Sequence, residues 1–336
     1  TINGLRGVAA CSASEAWACG AYGTLLYFNG TSWGLRPQSF TNHLNALYDL
    51  GASRVWEAGD PYTGRAYVAF GRSAPPPAME PDVVLNGLDT FDYAGTPLAV
   101  GRFNGDAYHD LLIGATSAAG PGNARPLGGE AYIFNGRDTW PSVIDLRYQA
   151  DVTIYAADAY DQFPGYAQTP SPDFNGDGID DLLLASRFSD GPGNLHPNGG
   201  EVLAIYGGSL PRTIDLMSRP ADVTFYGGTA GAEYGYGAWA FDFNGDGLPD
   251  LAVTSNKLGL PPERSANGVT CLVNGRETWP SQVEIEEEAS LVVEGAESDD
   301  AAGLFVSGAN LHSADPDDYQ DLVISSAAAG PDNTRP

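Results

Sequence analysis

The sequence predicts an all-β fold built from repeated four-stranded units, and three observations carry that prediction. Glycine (43) and proline (24) make up about a fifth of the 336 residues, too much for packed helices. Hydrophobic residues still account for 43%, so the chain has a core to bury and its turns must join many short strands. The third observation is that the chain repeats itself. Acidic nonapeptides starting at Arg102, Asp173, Asp242 and Ser313 are 71, 69 and 71 residues apart. "AGPGNARP" (119–126) returns three periods later as "AGPDNTRP" (329–336), and "NGRDTWPS" (135–142) returns two periods later as "NGRETWPS" (274–281).

Every unit reads in the same order. An aromatic–Gly opening (Tyr93-Ala94-Gly95, Phe163-Pro164-Gly165, Tyr234-Gly235) leads into a first strand and then the acidic loop. A second apolar strand, a long Gly/Pro loop and a third strand follow: "GEAYIFNG" to Gly136, "GEVLAIYGG" to Gly208, "GVTCLVNG" to Gly275. An outer strand such as "ADVTIYAA" or "ADVTFYGG" closes the unit. Four short strands per radially repeated unit describe the blade of a β-propeller. Residues 1–85 carry a shorter echo at a step of 39, which aligns Leu5 with Leu44, Trp17 with Trp56 and Gly20 with Gly59. These read as two degenerate blades without the acidic loop. Residues 86–336 then carry the long-period blades, about six being started in all and the last incomplete. The stretch "APPPAMEP" (74–81) also fits a stiff linker between two separate domains.

The acidic loop carries the chemistry. In "DFNGDGIDD", Asp173, Asn175, Asp177 and Asp181 stand at positions 1, 3, 5 and 9, and the carbonyl of Ile179 can turn in at position 7. "DFNGDGLPD" repeats the set as Asp242, Asn244, Asp246, Leu248 and Asp250. So many carboxylates repel one another unless a cation sits among them. Hard oxygen donors at odd positions of a Gly-containing loop suit Ca²⁺ better than Mg²⁺, which keeps more of its water. An EF-hand would need Glu at position 12, where this chain has Leu184 and Val253, so the loop joins two strands. An Asx-rich turn with no metal is the plainer alternative.

The opening, the D-x-N-G-D-G-x-x-D loop and the apolar strand closing on "IGAT" (113–116) resemble the FG-GAP repeat. That repeat builds the seven-bladed propeller heads of integrin α-subunits and many bacterial surface proteins. The resemblance covers about residues 90–336. It implies a seven-bladed type of propeller, structural Ca²⁺ in the two full loops, and an extracellular or cell-surface setting. Two copies depart from the pattern. "RFNGDAYHD" has Arg102 at position 1, leaving Asn104, Asp106 and Asp110, and pairing of its guanidinium with those aspartates would make that loop metal-free. "SADPDDYQD" keeps Ser313, Asp315, Asp317, Tyr319 and Asp321 for a third site, with Pro316 and Asp318 in place of both glycines.

Composition narrows the partners. Asp and Glu (43) against Lys and Arg (16) give a net charge of −27, which argues against nucleic acid and anionic lipid surfaces. No stretch approaches the roughly 18–20 apolar residues of a membrane-spanning helix. Three cysteines lack metal spacing, and Cys11–Cys19 is the nearest pair for a disulfide. "GTSWG" (30–34) matches a nucleophile elbow, but Pro37 follows where the elbow needs a helix. No catalytic constellation stands out.

The expectation is therefore a non-enzymatic, calcium-stabilised extracellular propeller that engages a protein partner or surface polymer. A carbohydrate-binding or carbohydrate-active propeller, of lyase or glycosidase type, is the alternative. It is weakened by Gly/Pro loops (117–128, 188–200, 257–268) with almost no aromatic residue to stack on a sugar. The 210-residue match further predicts that a "GGEAYIF"-like strand continues the sequence after Pro336. A chain ending there would expose strand edges and tend to self-assemble.

Overall fold

The computed structural model describes residues 5–12, 15–20, 24–35, 43–49, 53–59, 64–70, 81–87, 89–167, 171–258, 267–296, 301–309 and 320–326. In chain order these build six sheets, one per predicted blade. The first holds β1 (Leu5–Ser12), β2 (Glu15–Gly20), β3 (Thr24–Phe28) and β4 (Trp33–Leu35). The second holds β5 (His43–Asp49), β6 (Ser53–Gly59), β7 (Arg65–Phe70) and β8 (Val83–Asn86). Because β7 pairs with β8, the proline-rich stretch before Pro81 connects two strands of one blade.

The third blade runs β9 (Ala94–Gly101), β10 (Asp110–Ala115), β11 (Glu130–Phe134), then β12 (Val143–Asp145), helical turn α1 (Leu146–Gln149) and β13 (Val152–Tyr155). The fourth repeats this order with β14 (Tyr166–Ala167), β15 (Leu182–Ser186), β16 (Glu201–Ile205), β17 (Thr213–Asp215) and β18 (Val223–Tyr226). The fifth has β19 (Gly237–Phe241), β20 (Asp250–Ser255), β21 (Val269–Val273), β22 (Gln282–Glu284), α2 (Ile285–Glu288) and β23 (Ala289–Glu294). The sixth shows β24 (Ala302–Ala309) and β25 (Asp321–Ser326). The nearly all-β architecture, with four antiparallel strands in each of the first five blades, is the predicted propeller class.

One connection was not anticipated. β12, β17 and β22 lie between the third and fourth strands of their own blades in sequence, yet each adds a parallel fifth strand to the preceding blade. β12 pairs with β8, β17 with β13, and β22 with β18. Each strap is three residues long, too short to show any periodicity. The acidic run from 284 likewise divides. Glu284 ends a strap, Ile285–Glu288 form a helical turn, and only Ala289–Glu294 form the outer strand.

The core lies between blades, as expected when the central strands are buried on both faces. β10, β15, β20 and β21 are buried at every position. Leu98, Ile113 and Tyr132 of the third blade pack with Leu85 of the second. Ile133 and Ile154 pack with Leu184 and Ile205 of the fourth. Phe225 and Val202 pack with Val253 and Val273 of the fifth.

Two further readings are settled by register. Cys19 stands opposite Gly7, four residues from Cys11 along β1. At about 3.3 Å per residue this separates their Cα atoms by about 13 Å, beyond the reach of a disulfide. Cys271 is a buried free thiol. Ser32 sits in the β3–β4 hairpin turn, where Asn29 Oδ1 accepts from the amides of Thr31 (3.0 Å) and Ser32 (2.9 Å). A strand follows it, and a nucleophile elbow needs a helix. Among the described residues no helix is long and apolar enough to cross a membrane.

Candidate metal centre

The acidic loops join the first and second strands of the third, fourth and fifth blades; the 173–181 and 242–250 copies share one hydrogen-bonded ring, and the 102–110 copy keeps the part made by positions 3, 5 and 9. In the 173–181 loop, Asp173 Oδ1 accepts from the amides of Gly176 (2.8 Å) and Asp177 (3.1 Å), and Oδ2 accepts from Gly178 (2.8 Å). Asn175 Oδ1 accepts from the Asp177 amide at 2.9 Å, and Asp177 Oδ1 from the Ile179 amide at 2.8 Å. The 242–250 loop repeats these contacts through Asp242, Asn244, Asp246 and Leu248. The curl depends on left-handed glycines, with φ 77° at Gly176 and 85° at Gly178.

Position 9 has a different task. Asp181 and Asp250 are fully buried. Asp181 Oδ2 accepts from Phe174 (2.7 Å) and Asn175 (3.1 Å), and Oδ1 from Gly207 (2.7 Å). Asp250 does the same with Phe243, Asn244 and Gly275. Burial pushes the Asp181 carboxyl up to about 6, with the Gly207, Phe174 and Asn175 amides pulling it back. The contact explains the glycine that closes each third strand. A Cβ at Gly207 would lie 2.4 Å from the Asp180 carbonyl oxygen, and one at Gly275 would lie 2.8 Å from that of Pro249. The equivalent of Gly136 and Gly275 is thus Gly207, one residue before the sequence reading placed it.

The donor set fits Ca²⁺ in kind: three carboxylates, one amide oxygen and a backbone carbonyl in a glycine-curled ring open to solvent. Carboxylates offer about four acceptor sites each, so the amide contacts leave lone pairs free. In this structure the side chains are turned to the backbone, and Asn175 Nδ2 donates to Asp177 Oδ2 at 3.1 Å. Among the described residues no three His, Cys, Asp or Glu side chains converge as a cage. Closing one around an ion requires Asp173 and Asp177 to rotate inward.

The 102–110 loop keeps the scaffold and lacks its first ligand. Asp110 still accepts from Asn104 (3.1 Å) and Gly136 (2.8 Å), and Asp106 from Tyr108 (2.7 Å). Arg102 does not do what the sequence suggested. Its side chain is exposed and makes no ion pair among the described residues, while its amide donates to Asp180 Oδ2 of the next loop at 2.7 Å. Of the fourth loop, Ser313, Asp315, Asp317 and Tyr319 lie outside the described residues, and Asp321 opens β25.

The other end of the same blades holds a feature that sequence reasoning missed. The Gly/Pro loop of the fourth blade and the turn after β13 enclose a cavity of about 210 Å³ lined by Asp158, Asp161, Asp190, Ser189 and Glu201. Burial first, and then Asp161, push Glu201 up to about 7; burial pushes Asp161 up to about 6. In the repeat before it, Asp89, Asp92 and Glu130 occupy the equivalent places. There Arg147 of α1 reaches in, 2.6 Å from Asp89 and 3.9 Å from Asp92. In the repeat after, Ala232 and Val269 replace the two buried acids, as the shared pairing of β11, β16 and β21 with their outer strands shows. Met217 stands where Arg147 would be. The nearest cation, Arg125, is turned instead to the Ala156 carbonyl and to Asp215.

No family model matches the chain. Over 179 residues it is 31% identical to a phosphatidylinositol-glycan-specific phospholipase D of Rattus norvegicus, covering 52% of this chain and 20% of that one. It is 30% identical to human integrin alpha-IIb over 172 residues, covering 50% of this chain and 15% of the integrin. The chain thus spans a fifth or less of the length of these relatives. They bear out the resemblance to FG-GAP propeller proteins. Among solved structures, the WD40 β-propeller domain of Doa1 matches at 10% identity over 91% of this chain and 86% of that one. Its TM-score of 0.37 carries no weight beside the blade order seen directly.

Proposed function

We propose that the chain is a calcium-stabilised, extracellular propeller whose task is binding a protein or surface polymer. The observation that supports this most is the pair of superimposable loops at 173–181 and 242–250, each holding an oxygen donor set suited to Ca²⁺. The integrin relatives support an interaction role and a surface setting. The residues that would hold the ion are Asp173, Asn175, Asp177, Ile179 and Asp181, then Asp242, Asn244, Asp246, Leu248 and Asp250. Ser313, Asp315, Asp317, Tyr319 and Asp321 would supply a third site. When bound, the ion supplies counter-charge that holds the loop against its neighbour. A ligand at 100 times its Kd adds about 2.7 kcal/mol to folding.

The test is calcium stoichiometry with thermal melting. Excess EGTA should lower the melting temperature, and Asp177→Ala or Asp246→Ala should each remove about one bound ion. Asp106→Ala should leave the count unchanged, since its loop has no carboxylate at position 1. A melting curve indifferent to EGTA, with no calcium by elemental analysis, would overturn the metal. A catalytic reading has one observation in its favour: the enclosed crevice, with two carboxyls pushed toward neutrality. Hydrolysis of a glycan or phosphodiester that Glu201→Gln abolishes would establish it.

A further inference from the structure

At the end of the blades away from the acidic loops, three blades meet around one arginine. A cavity of about 350 Å³ is lined by Thr96 and Thr116 of the third blade, Gln162, Tyr166 and Arg187 of the fourth, and Tyr236 of the fifth. Arg187 follows the last residue of β15, and the repeat puts Thr116 and Asn256 in the same place after β10 and β20. Only the middle of these three copies is cationic.

The surroundings of that cation set it apart. Arg125, Arg147 and Arg276 are part-buried, as Arg187 is, and each of them pairs with a carboxylate. Among the described residues Arg187 makes no ion pair and no hydrogen bond, in a chain with 43 acids. Two rings hold its guanidinium instead, with centroids 4.5 Å away for Phe188 and 4.8 Å away for Tyr236. Ring contacts position a guanidinium and leave its five N–H donors available. The side chains of Thr116, Gln162 and Tyr236 likewise make no hydrogen bond among the described residues. A planar donor fork and three further polar side chains thus line one space with their hydrogen bonds unused.

We propose that this cavity binds a carboxylate, the side chain of an aspartate or glutamate on a protein partner. A guanidinium fork matches a carboxylate through two parallel hydrogen bonds, and the hydroxyl and amide donors serve its remaining lone pairs. The net charge of −27 decides between sources of that carboxylate. A uronic-acid polymer is repelled along its whole length, whereas a single acid on a basic protein surface is drawn in. The proposal rests on the reading of the chain as a binding protein and on nothing in the calcium loops.

The experiment uses the 336-residue chain with ¹⁵N-labelled arginine, the Arg187 Nε signal being assigned by its loss in Arg187→Gln. That variant should keep the parent's melting temperature, because the repeat accommodates the uncharged Thr116 and Asn256 in the same place. The probe is a blocked, dye-labelled pentapeptide with one glutamate flanked by lysines. It should move the Arg187 signal saturably, and its glutamine version should leave the signal in place. By fluorescence anisotropy, Arg187→Gln should weaken binding at least tenfold, and the isosteric Thr116→Val about threefold. An unmoved Arg187 signal overturns the proposal, as does equal movement by sulfate or by the glutamine peptide. Tighter binding of a glucuronate hexamer would assign the cavity to a glycan and overturn it too. Calcium counted on the same samples keeps the two readings apart. A chain without calcium that still binds the peptide fails the metal reading alone; a calcium-loaded chain with Arg187 unmoved fails this one alone.

Discussion

The acid cluster at Asp89, Asp92 and Glu130 and the crevice at Asp158, Asp161, Asp190 and Glu201 occupy equivalent places in successive repeats, the first with an arginine reaching in and the second with a methionine at that arginine's position. In the first, Arg147 supplies the counter-charge; burial still pushes Asp92 up to about 6, but the guanidinium pulls it back. In the second, Met217 has replaced that arginine and a fourth acid, Asp190, has been added; burial, with the neighbouring carboxylates, pushes Glu201 up to about 7 and Asp161 up to about 6. The third copy removes the problem with Ala232 and Val269. A repeat fold can thus leave the strand pairing unchanged while one place turns from an ion pair to an acid cluster without that arginine to an apolar seam. Divergence of function within a propeller starts from such exchanges.

The largest expected effect comes from converting the first crevice into the second. Arg147→Met removes the one cation that, among the described residues, pairs with this cluster, and should cost about 1–2 kcal/mol, discounted for the partial exposure of Asp89. Denaturant unfolding at pH 7.5 measures it; an unchanged midpoint would show that the arginine is not what balances the first copy.

Next in size is the pH dependence of the second crevice. Asp161 and Glu201 sit at about 6 and about 7, above their ordinary 3.8 and 4.5. Their raised values favour the protonated native state, so this contribution is complete below about pH 4 and is lost as pH rises through 6 to 7. The groups that face them are Asp158, Asp190 and Ser189. Glu201→Gln keeps the shape and cannot ionise. It should raise the melting temperature at pH 7.5 by a few °C, on the order of 1 kcal/mol, and flatten the profile between pH 5 and 8. A variant whose melting curve tracks the parent at every pH would show that Glu201 is not the group responsible.

The smallest effect is expected from Met217→Arg, which gives the second crevice the first one's cation. A gain of about 0.5 kcal/mol at pH 7.5 is expected, limited by the exposed position and by repulsion from Arg125. A loss would show that Arg125 already fills that role.

How much of this was legible in the sequence depended on whether residues that act together are also neighbours in the chain. The acidic loops compress five oxygen donors into nine positions, so their spacing alone exposes them. Position 9 was read correctly as acidic, but not as the buried anchor that holds Gly207 or Gly275. That task needs the third strand, some 25 residues on. The crevice acids are drawn from 158 to 201 and lie in no pattern among 43 acidic residues. The exchange of Arg147 for Met217 is visible only once the straps align α1 with the turn after β17. The straps themselves were missed because three residues carry no periodicity. The expected pairing of Arg102 with its own loop failed because the side chain points to solvent, where a guanidinium keeps its hydration.

The straps also make the blades dependent on one another in a fixed direction. Thr153 waits for Thr213, 60 residues later, before the outer edge of its blade is covered. At roughly 5–20 residues per second, synthesis leaves that edge open for about 3–12 seconds. The second, third and fourth blades therefore leave the ribosome unfinished and are completed by their successors. During synthesis, the uncovered edge therefore moves from one of these blades to the next as each strap arrives.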